Sequence, residues 1–394
     1  MRVLISYFCF AWLLLIGLVA CAPKEKTVVQ EVVTIDASRE YPEKKMLLQD
    51  MAEVDYIRLE TSDEMLWKGG VKAFTDNYIL NQNLSTGDIL LFDKTGKIIR
   101  KINHQGGSGE EYSPYSSALF DEENEELYVN DTDKRKIFVY DLEGNFKRVL
   151  DFVPDKYYYY SSLHLFDAKH LIVYNDAQED EEDNSYLILS KQTGEIEKEI
   201  IIPPTSRKLF LRHTLQSGGE TMTIVFMNYP LAAAHPKLIL TEISNDTIFS
   251  LNQAMELKPI IVQKPSRSTM EHETFLFYTM ESNNYIFLSA TAKKFIGEGY
   301  NTKAIAYNLI YDKKEAACYQ QDVRNGDFTP EKKVYIPPVM PQLSLSNKNV
   351  FLQILNAGDL VEAYENNQLT GRLKEIAKEL DEEDNPVILV ARFK

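Results

Sequence analysis

The side chains that most often carry chemistry are sparsely arranged in this chain. Its six histidines are His104, His164, His170, His213, His235 and His272. None stands in the His-x-x-x-His or His-Glu-x-x-His spacing that sets two imidazoles on one helix face to hold a metal. No Gly-x-Ser-x-Gly elbow presents a serine for acyl transfer. Cys318 has no neighbouring base that would activate it. No catalytic residue, metal ligand set or cofactor motif is therefore assigned. The acidic block 179–183 reads as a solvated loop tip, because no glycine-containing calcium loop surrounds it. The stretch Gly106-Gly107-Ser108-Gly109-Glu110-Glu111 could cradle an anion through backbone N–H groups. It lacks the Lys-Ser/Thr of a P-loop, and its glutamates repel phosphate, so it reads as a tight connection between strands. Asn103, His104 and Tyr112 flank it and offer donors and a stackable ring, which makes them candidate ligand contacts. The run Tyr157-Tyr158-Tyr159-Tyr160 places alternate rings on opposite faces of a strand. Tyr158 and Tyr160 are candidates for stacking on a sugar or a peptide side chain.

Cys21 has a chemistry of its own. Arg2 precedes an apolar run, Val3 to Gly17, that is too short and too early for an ordinary transmembrane anchor. Residues 1–20 read as an export signal. The run ends in Leu18-Val19-Ala20-Cys21, which resembles the lipobox of bacterial lipoproteins. That resemblance implies a diacylglycerol on the Cys21 thiol, cleavage before it, and acylation of the new N-terminus. Each buried methylene contributes about 0.8 kcal/mol, so several chains make a stable tether. The expected location is the cell envelope, at the outer membrane, with the periplasmic and surface faces both open. Cys9 leaves with the signal and Cys21 carries lipid, so Cys318 has no disulfide partner and the fold rests on its core. A net charge of −16 excludes a nucleic-acid partner, which needs a basic footprint.

The elements that position these residues repeat. A polar turn followed by a short apolar strand recurs six times, with Ile79, Tyr128, Ile172, Ile224, Ile286 and Val350 as markers 44 to 64 residues apart. A hairpin follows several of them: Ile89–Ile99, Ile137–Phe146 and Tyr186–Ile196, turning at Gly96, Gly144 and Gly194. Glycine suits a positive φ there, and the Asp or Ser ahead of it bonds its own backbone. Degenerate copies are Ile243–Phe249 and Leu309–Glu315. Such a period, built from strands, predicts an all-β six-bladed propeller of four-stranded blades over residues 51–394. Residues 21–50 form a lipidated tether in which Val28–Val33 could join the final blade and close the ring. Leu369, Leu373, Ile376 and Leu380 make one apolar face of a short helix before the last strand, Val387–Val390, and Pro386 stops that helix.

The glycine-rich segment ending in Glu110-Glu111-Tyr112 resembles a stretch of the six-bladed β-propeller lipoproteins of Bacteroidetes, relatives of the NHL-repeat propellers. The lipobox, Ser244–Phe249 and the closing Glu382–Leu389 are similar to that family in the same order. The resemblance implies fold and compartment and carries over no catalytic residue. The function expected is a non-catalytic envelope module that binds or scaffolds a glycan, peptide or protein partner. The alternative is a propeller lyase or hydrolase acting on carbohydrate or peptide at the channel mouth.

Overall fold

The computed structural model describes residues 32–394 except 115–116, 154–158, 177–185, 204–211, 218–219, 226–227, 235, 297–302, 337–341 and 344–348. Residues 212–217, 220–225, 303 and 342–343 are described by backbone alone.

Runs of β-branched and aromatic residues, bounded by Asp, Asn and Gly turns, fold into the six blades of a propeller. Blade 1 comprises Gly70–Phe74, Tyr78–Gln82, Ile89–Asp93 and Ile98–Ile102. Blade 2 comprises Ser117–Asp121, Glu126–Asp131, Lys136–Asp141 and Phe146–Asp151. Blade 3 holds Tyr160–Leu165, His170–Asn175, Tyr186–Ser190 and Ile196–Ile200. Blade 4 holds Leu231–Ala234, Lys237–Thr241, Thr247–Leu251 and Leu257–Gln263. Blade 5 holds Thr274–Glu281, Tyr285–Ile296, Lys303–Asp312 and Ala317–Asn325. Among the described residues blade 6 unites Val350–Leu355 and Val387–Phe393 with Ala52–Arg58 from the other end of the chain.

Closure shows in the core, because every pair of neighbouring blades shares its own buried cluster. Blade 6 shows how alternation achieves this. Ile388 and Val390 pack with Phe74, Ile79 and Phe92 of blade 1. Leu389 and Ala391 point the other way, toward Phe287, Ile310 and Val323 of blade 5. Equivalent clusters join blades 1 and 2, 2 and 3, 3 and 4, and 4 and 5. A strand covered on both faces must be apolar throughout, which explains runs such as Ile388-Leu389-Val390, each 0% exposed.

Three sequence expectations need correction. The ring closes through Ala52–Arg58, a strand the sequence reading did not name, and residues 28–31 of the expected Val28–Val33 lie outside the described residues. In that region Val33–Ile35 instead lies parallel to Leu257–Gln263 on the outside of blade 4, and Glu43–Leu47 lies parallel to the outer strand of blade 5. The marker Ile224 belongs to a separate two-stranded hairpin, Arg212–Ser217 with Glu220–Val225, inserted between blades 3 and 4. The true fourth copy is Lys237–Thr241, and Ile243–Phe249 spans the turn between that strand and the next. The C-terminal helix is Gly371–Ala377, and a second helix, Ala357–Glu365, precedes it. Both bury their apolar sides, including Leu360, Leu373 and Ile376, in the blade 5–blade 6 cluster. Gly371 starts the helix with φ +56°.

The hairpin signals hold in detail. Gly96, Gly144 and Gly194 take φ of +90°, +86° and +75°. Asp93 accepts from the Thr95 and Lys97 amides at 2.8 and 3.0 Å, and Asp141 accepts from the Asn145 amide at 2.7 Å.

In each of the first five blades the strands alternate in direction outward from the axis. Turns between first and second and between third and fourth strands therefore share one face. Connections between second and third strands, and from blade to blade, share the other, which we call the loop face.

Candidate functional site

The glycine-rich loop lies on the loop face as the connection from blade 1 to blade 2, and several of its polar groups are bonded within the molecule. Asn103 donates to the Thr86 carbonyl at 2.9 Å and to Asp88 at 2.8 Å. The Tyr112 hydroxyl donates to the Gly87 carbonyl at 2.8 Å and accepts from the His104 amide at 3.1 Å. The His104 ring stacks on Tyr140, 4.8 Å between centroids and 5° from parallel. Lys134 clamps the carbonyls of Gly106 and Glu111 at 3.0 and 2.6 Å. Glu111 accepts from the Ser108 amide at 2.8 Å, and that bond holds its carboxyl below the usual glutamate range. Asn103, His104 and Tyr112 are thus brought together, as parts of a strap that fastens two blades. Tyr112, 1% exposed, presents no free ring face.

Tyr160 is also 1% exposed, with its ring 4.0 Å from Phe152 in the blade 2–blade 3 cluster. Tyr158 and Cys21 lie outside the described residues. The neighbouring Tyr159 is 41% exposed on the loop face.

A second place on the loop face was not visible as a motif. Between blades 4 and 5 the turn after Lys237–Thr241, the connection through Arg267 and the inner strand of blade 5 enclose a cleft. Its floor is ionic. The Arg267 guanidinium, 4% exposed, sits 4.9 Å over the Phe275 ring and 3.9 Å from Glu273. Asp246 accepts from the Ser266 hydroxyl at 2.5 Å and the Arg267 amide at 3.0 Å. Glu242 accepts from the Tyr174 hydroxyl of blade 3 at 2.9 Å. Burial lowers the Arg267 pKa, while Asp246, Glu273 and Glu242 pull the other way. One shoulder is apolar, where Tyr229 meets Phe277 edge-on at 5.4 Å beside Ile243, Phe295 and Ala304. Phe295 rides on the second strand of blade 5. That strand has 12 residues and its partner 10, against five or six in most others, so the pair extends past the cleft. The floor charges answer one another and the shoulder is greasy, an arrangement suited to contact rather than to proton transfer.

His164 and His170 are absorbed locally, and His235 lies outside the described residues. Burial pushes His164 down to about 4. His170 is opposed by burial, yet Asp167 at 2.8 Å and Glu197 at 3.0 Å raise its pKa. Among the described residues no three or more His, Cys, Asp or Glu side chains are grouped so that they could hold a metal ion.

The loop face also carries most of the exposed large hydrophobic residues among those described. Among the described residues eight large apolar side chains are exposed: Val32, Leu66, Leu84, Ile99, Tyr159, Ile201, Ile296 and Tyr335. Leu66, Tyr159, Ile201 and Tyr335 lie on blade-to-blade connections, Leu84 on a second-to-third turn, and Ile296 at the loop-face end of its strand.

Fold and site together define a closed six-bladed β-propeller whose connections at one end are greasier than the rest of its surface. The chain belongs to the DUF4934 family, a domain of unknown function, which matches residues 31–392. No curated protein matches it. Among solved structures it is similar to a Bacteroides fragilis NCTC 9343 protein described as exported, with 16% identity and a TM-score of 0.59, covering 92% of this chain and 100% of that one. It is also similar to a member of the DUF4221 family from Bacteroides vulgatus ATCC 8482, with 10% identity and a TM-score of 0.51, covering 88% and 99%. At these identities the likeness is one of fold.

Proposed function

We propose that the protein is a non-catalytic binding module of the cell envelope, tethered by lipid at Cys21, that captures a protein or peptide partner on its loop face. One observation carries this reading: six of the eight exposed large apolar residues lie at that face. Exposed apolar groups gathered in one region mark contact surfaces. Leu66, Leu84, Ile201 and Ile296 offer aliphatic groups, which suit a peptide better than the stacking faces a glycan prefers. The description of the Bacteroides fragilis protein as exported supports an export signal over residues 1–20. No specific observation favours the lyase or hydrolase reading.

The test compares the wild-type chain with an Ile201→Ser/Ile296→Ser/Tyr335→Ser variant, using Ile99→Ser on an outer strand as control. Capture from a cell-envelope extract should fall with the triple variant and persist with the control. Equal capture by both would overturn the assignment of the face. Capture displaced by free oligosaccharide would replace the peptide partner with a glycan. For the anchor, Cys21→Ser should abolish incorporation of a palmitate analogue and release the protein from the membrane fraction.

A further inference from the structure

The apolar groups of the loop face do not stand in neutral surroundings, and at one corner their neighbours carry a single sign. The connection from blade 6 to blade 1, residues 59–69, holds Glu60, Asp63 and Glu64 against one cation, Lys68. The end of the long connection within blade 6 holds Glu379, Asp381, Glu382, Glu383 and Asp384, with no basic residue between Lys378 and Arg392. Asn385 fastens the two connections together. It is 2% exposed, donates to the Glu60 and Met65 carbonyls at 2.7 and 2.8 Å, and accepts from the Trp67 amide at 2.7 Å. Arg58 is taken up by Asp384 at 3.0 Å and Glu379 at 3.8 Å, and Glu60 accepts from the Ile98 amide at 2.8 Å. That leaves Asp63, Glu64, Asp381, Glu382 and Glu383 exposed and in no ion pair among the described residues. On the opposite face charges answer one another, as Lys191 does Asp121 at 2.6 Å and Lys313 does Glu281 at 3.4 Å.

The same corner is apolar. Leu66, 46% exposed, follows Met65 directly, and Trp67 beside it is half-buried with its ring 6.1 Å from Phe92. Gly69, at φ +94°, lies against Gln82 and Asn83 too closely for any side chain. Leu84, 39% exposed, follows Asn83. Two exposed leucines, an indole and five unanswered carboxylates therefore share one rigid corner of the loop face. A run of carboxylates alone is a solvated tip. Here a buried asparagine holds it beside apolar side chains, and charge bordering an apolar contact selects the sign of what docks there.

We propose that this corner receives a cationic amphipathic segment of the protein partner, whose lysine or arginine side chains meet the carboxylates while its aliphatic groups cover Leu66 and Leu84. The proposal rests on the partner-binding reading above and specifies the partner's chemistry. A second copy docking by the same corner would set like charges against each other, and an anionic lipid surface would be repelled in the same way.

Trp67 supplies the readout, because Trp12 lies within residues 1–20 and the chain from Cys21 onward has no other tryptophan. The mature chain is titrated with three synthetic peptides of equal length, built of lysine and leucine, of lysine and serine, or of glutamate and leucine. The lysine–leucine peptide should bind, change the Trp67 emission, and weaken as salt is raised. The lysine–serine peptide should bind more weakly and the glutamate–leucine peptide not at all. Glu382→Lys/Glu383→Lys should weaken the lysine–leucine peptide about tenfold or more. Glu123→Lys/Glu143→Lys makes the same change of net charge at exposed positions on the opposite face and should leave affinity within about twofold. Equal losses in the two variants, preference for the glutamate–leucine peptide, or binding that leaves Trp67 emission unchanged would overturn the proposal. Dimerisation of the free chain that Leu66→Ser abolishes would also overturn it, and would assign the corner to a second copy. If the peptide results fail while Ile201→Ser/Ile296→Ser/Tyr335→Ser still reduces capture from the envelope extract, the cationic assignment falls and the partner-binding reading stands.

Discussion

Single residues in this propeller divide into those that fasten blades and those left unsatisfied. Glu126 belongs to the first kind. Burial opposes its ionisation, but Arg148, Lys147 and Tyr128 hold its pKa down to about 2. A carboxyl depressed in the folded state stabilises fully above its unfolded pKa and loses that contribution as pH falls toward the folded value. Glu126→Gln should therefore cost about 3 kcal/mol near neutrality by stranding Arg148. The gap from wild type should close between pH 4.5 and pH 2 in denaturant titrations. His170 behaves oppositely. Its raised pKa means that the Asp167 and Glu197 contacts stabilise below the unfolded histidine value and fade as pH rises through the folded one. His170→Asn should lower Tm more at pH 5 than at pH 8. Lys72, part-buried on the inner strand of blade 1 with no hydrogen bond or carboxylate reaching it among the described residues, is of the second kind. Replacing its unpaired ammonium by Met should raise stability by about 1 kcal/mol, read as a higher denaturant midpoint. Tyr112 was legible as a polar aromatic beside a glycine loop. That its hydroxyl faces Gly87 depends on a turn 25 residues upstream and could not be read locally. The interest of Lys72 lies in a missing partner, which no local pattern records.

At the scale of elements, legibility followed glycine. Blades 1 to 3 announce their outer hairpins with Gly96, Gly144 and Gly194. Blades 4 and 5 make the same turns with Met255 at φ +60° and Ala316 at φ +51°, so the signal vanished although the geometry did not. The blade 4–blade 5 cleft draws on residues from 241 to 277 in a turn, a connection and a strand, and no short motif spans it. The first helix was missed because it buries Ala357, Leu360 and Ala363, small or well-spaced residues that make a faint apolar stripe. Gly96 also fits where no side chain can. A Cβ there would lie 2.2 Å from the Arg58 carbonyl of the closing strand. Gly96→Ala should destabilise by at least about 1–2 kcal/mol from the left-handed backbone alone, and by more from the clash. The corresponding change at Gly107, where nothing lies within 4 Å and φ is not positive, should be nearly neutral by thermal melting.

For the whole molecule, the composition and period were enough for a six-bladed ring. They were not enough to choose the strand that completes it, because pairing between residues 52–58 and 387–393 leaves no mark in either segment. A chain beginning at Leu48 keeps Ala52–Arg58 and should unfold cooperatively at reduced stability, having lost only the outer strands on blades 4 and 5. A chain beginning at Leu59 lacks the third named strand of blade 6 and should give no cooperative transition by near-ultraviolet circular dichroism.

The pairing also fixes an order in time. Ala52–Arg58 emerges early in synthesis, and its partner Val387–Phe393 emerges near the end. At about 5–20 residues per second, the first waits on the order of half a minute for the second. Until then it is an unmated ribbon edge, the kind of surface that recruits strangers. Glu53 and Asp55, both exposed in the finished ring, put negative charge on that ribbon while it is alone. The same two carboxylates, which bridge no blades on the folded surface, would guard the newborn chain from sticking to its neighbours.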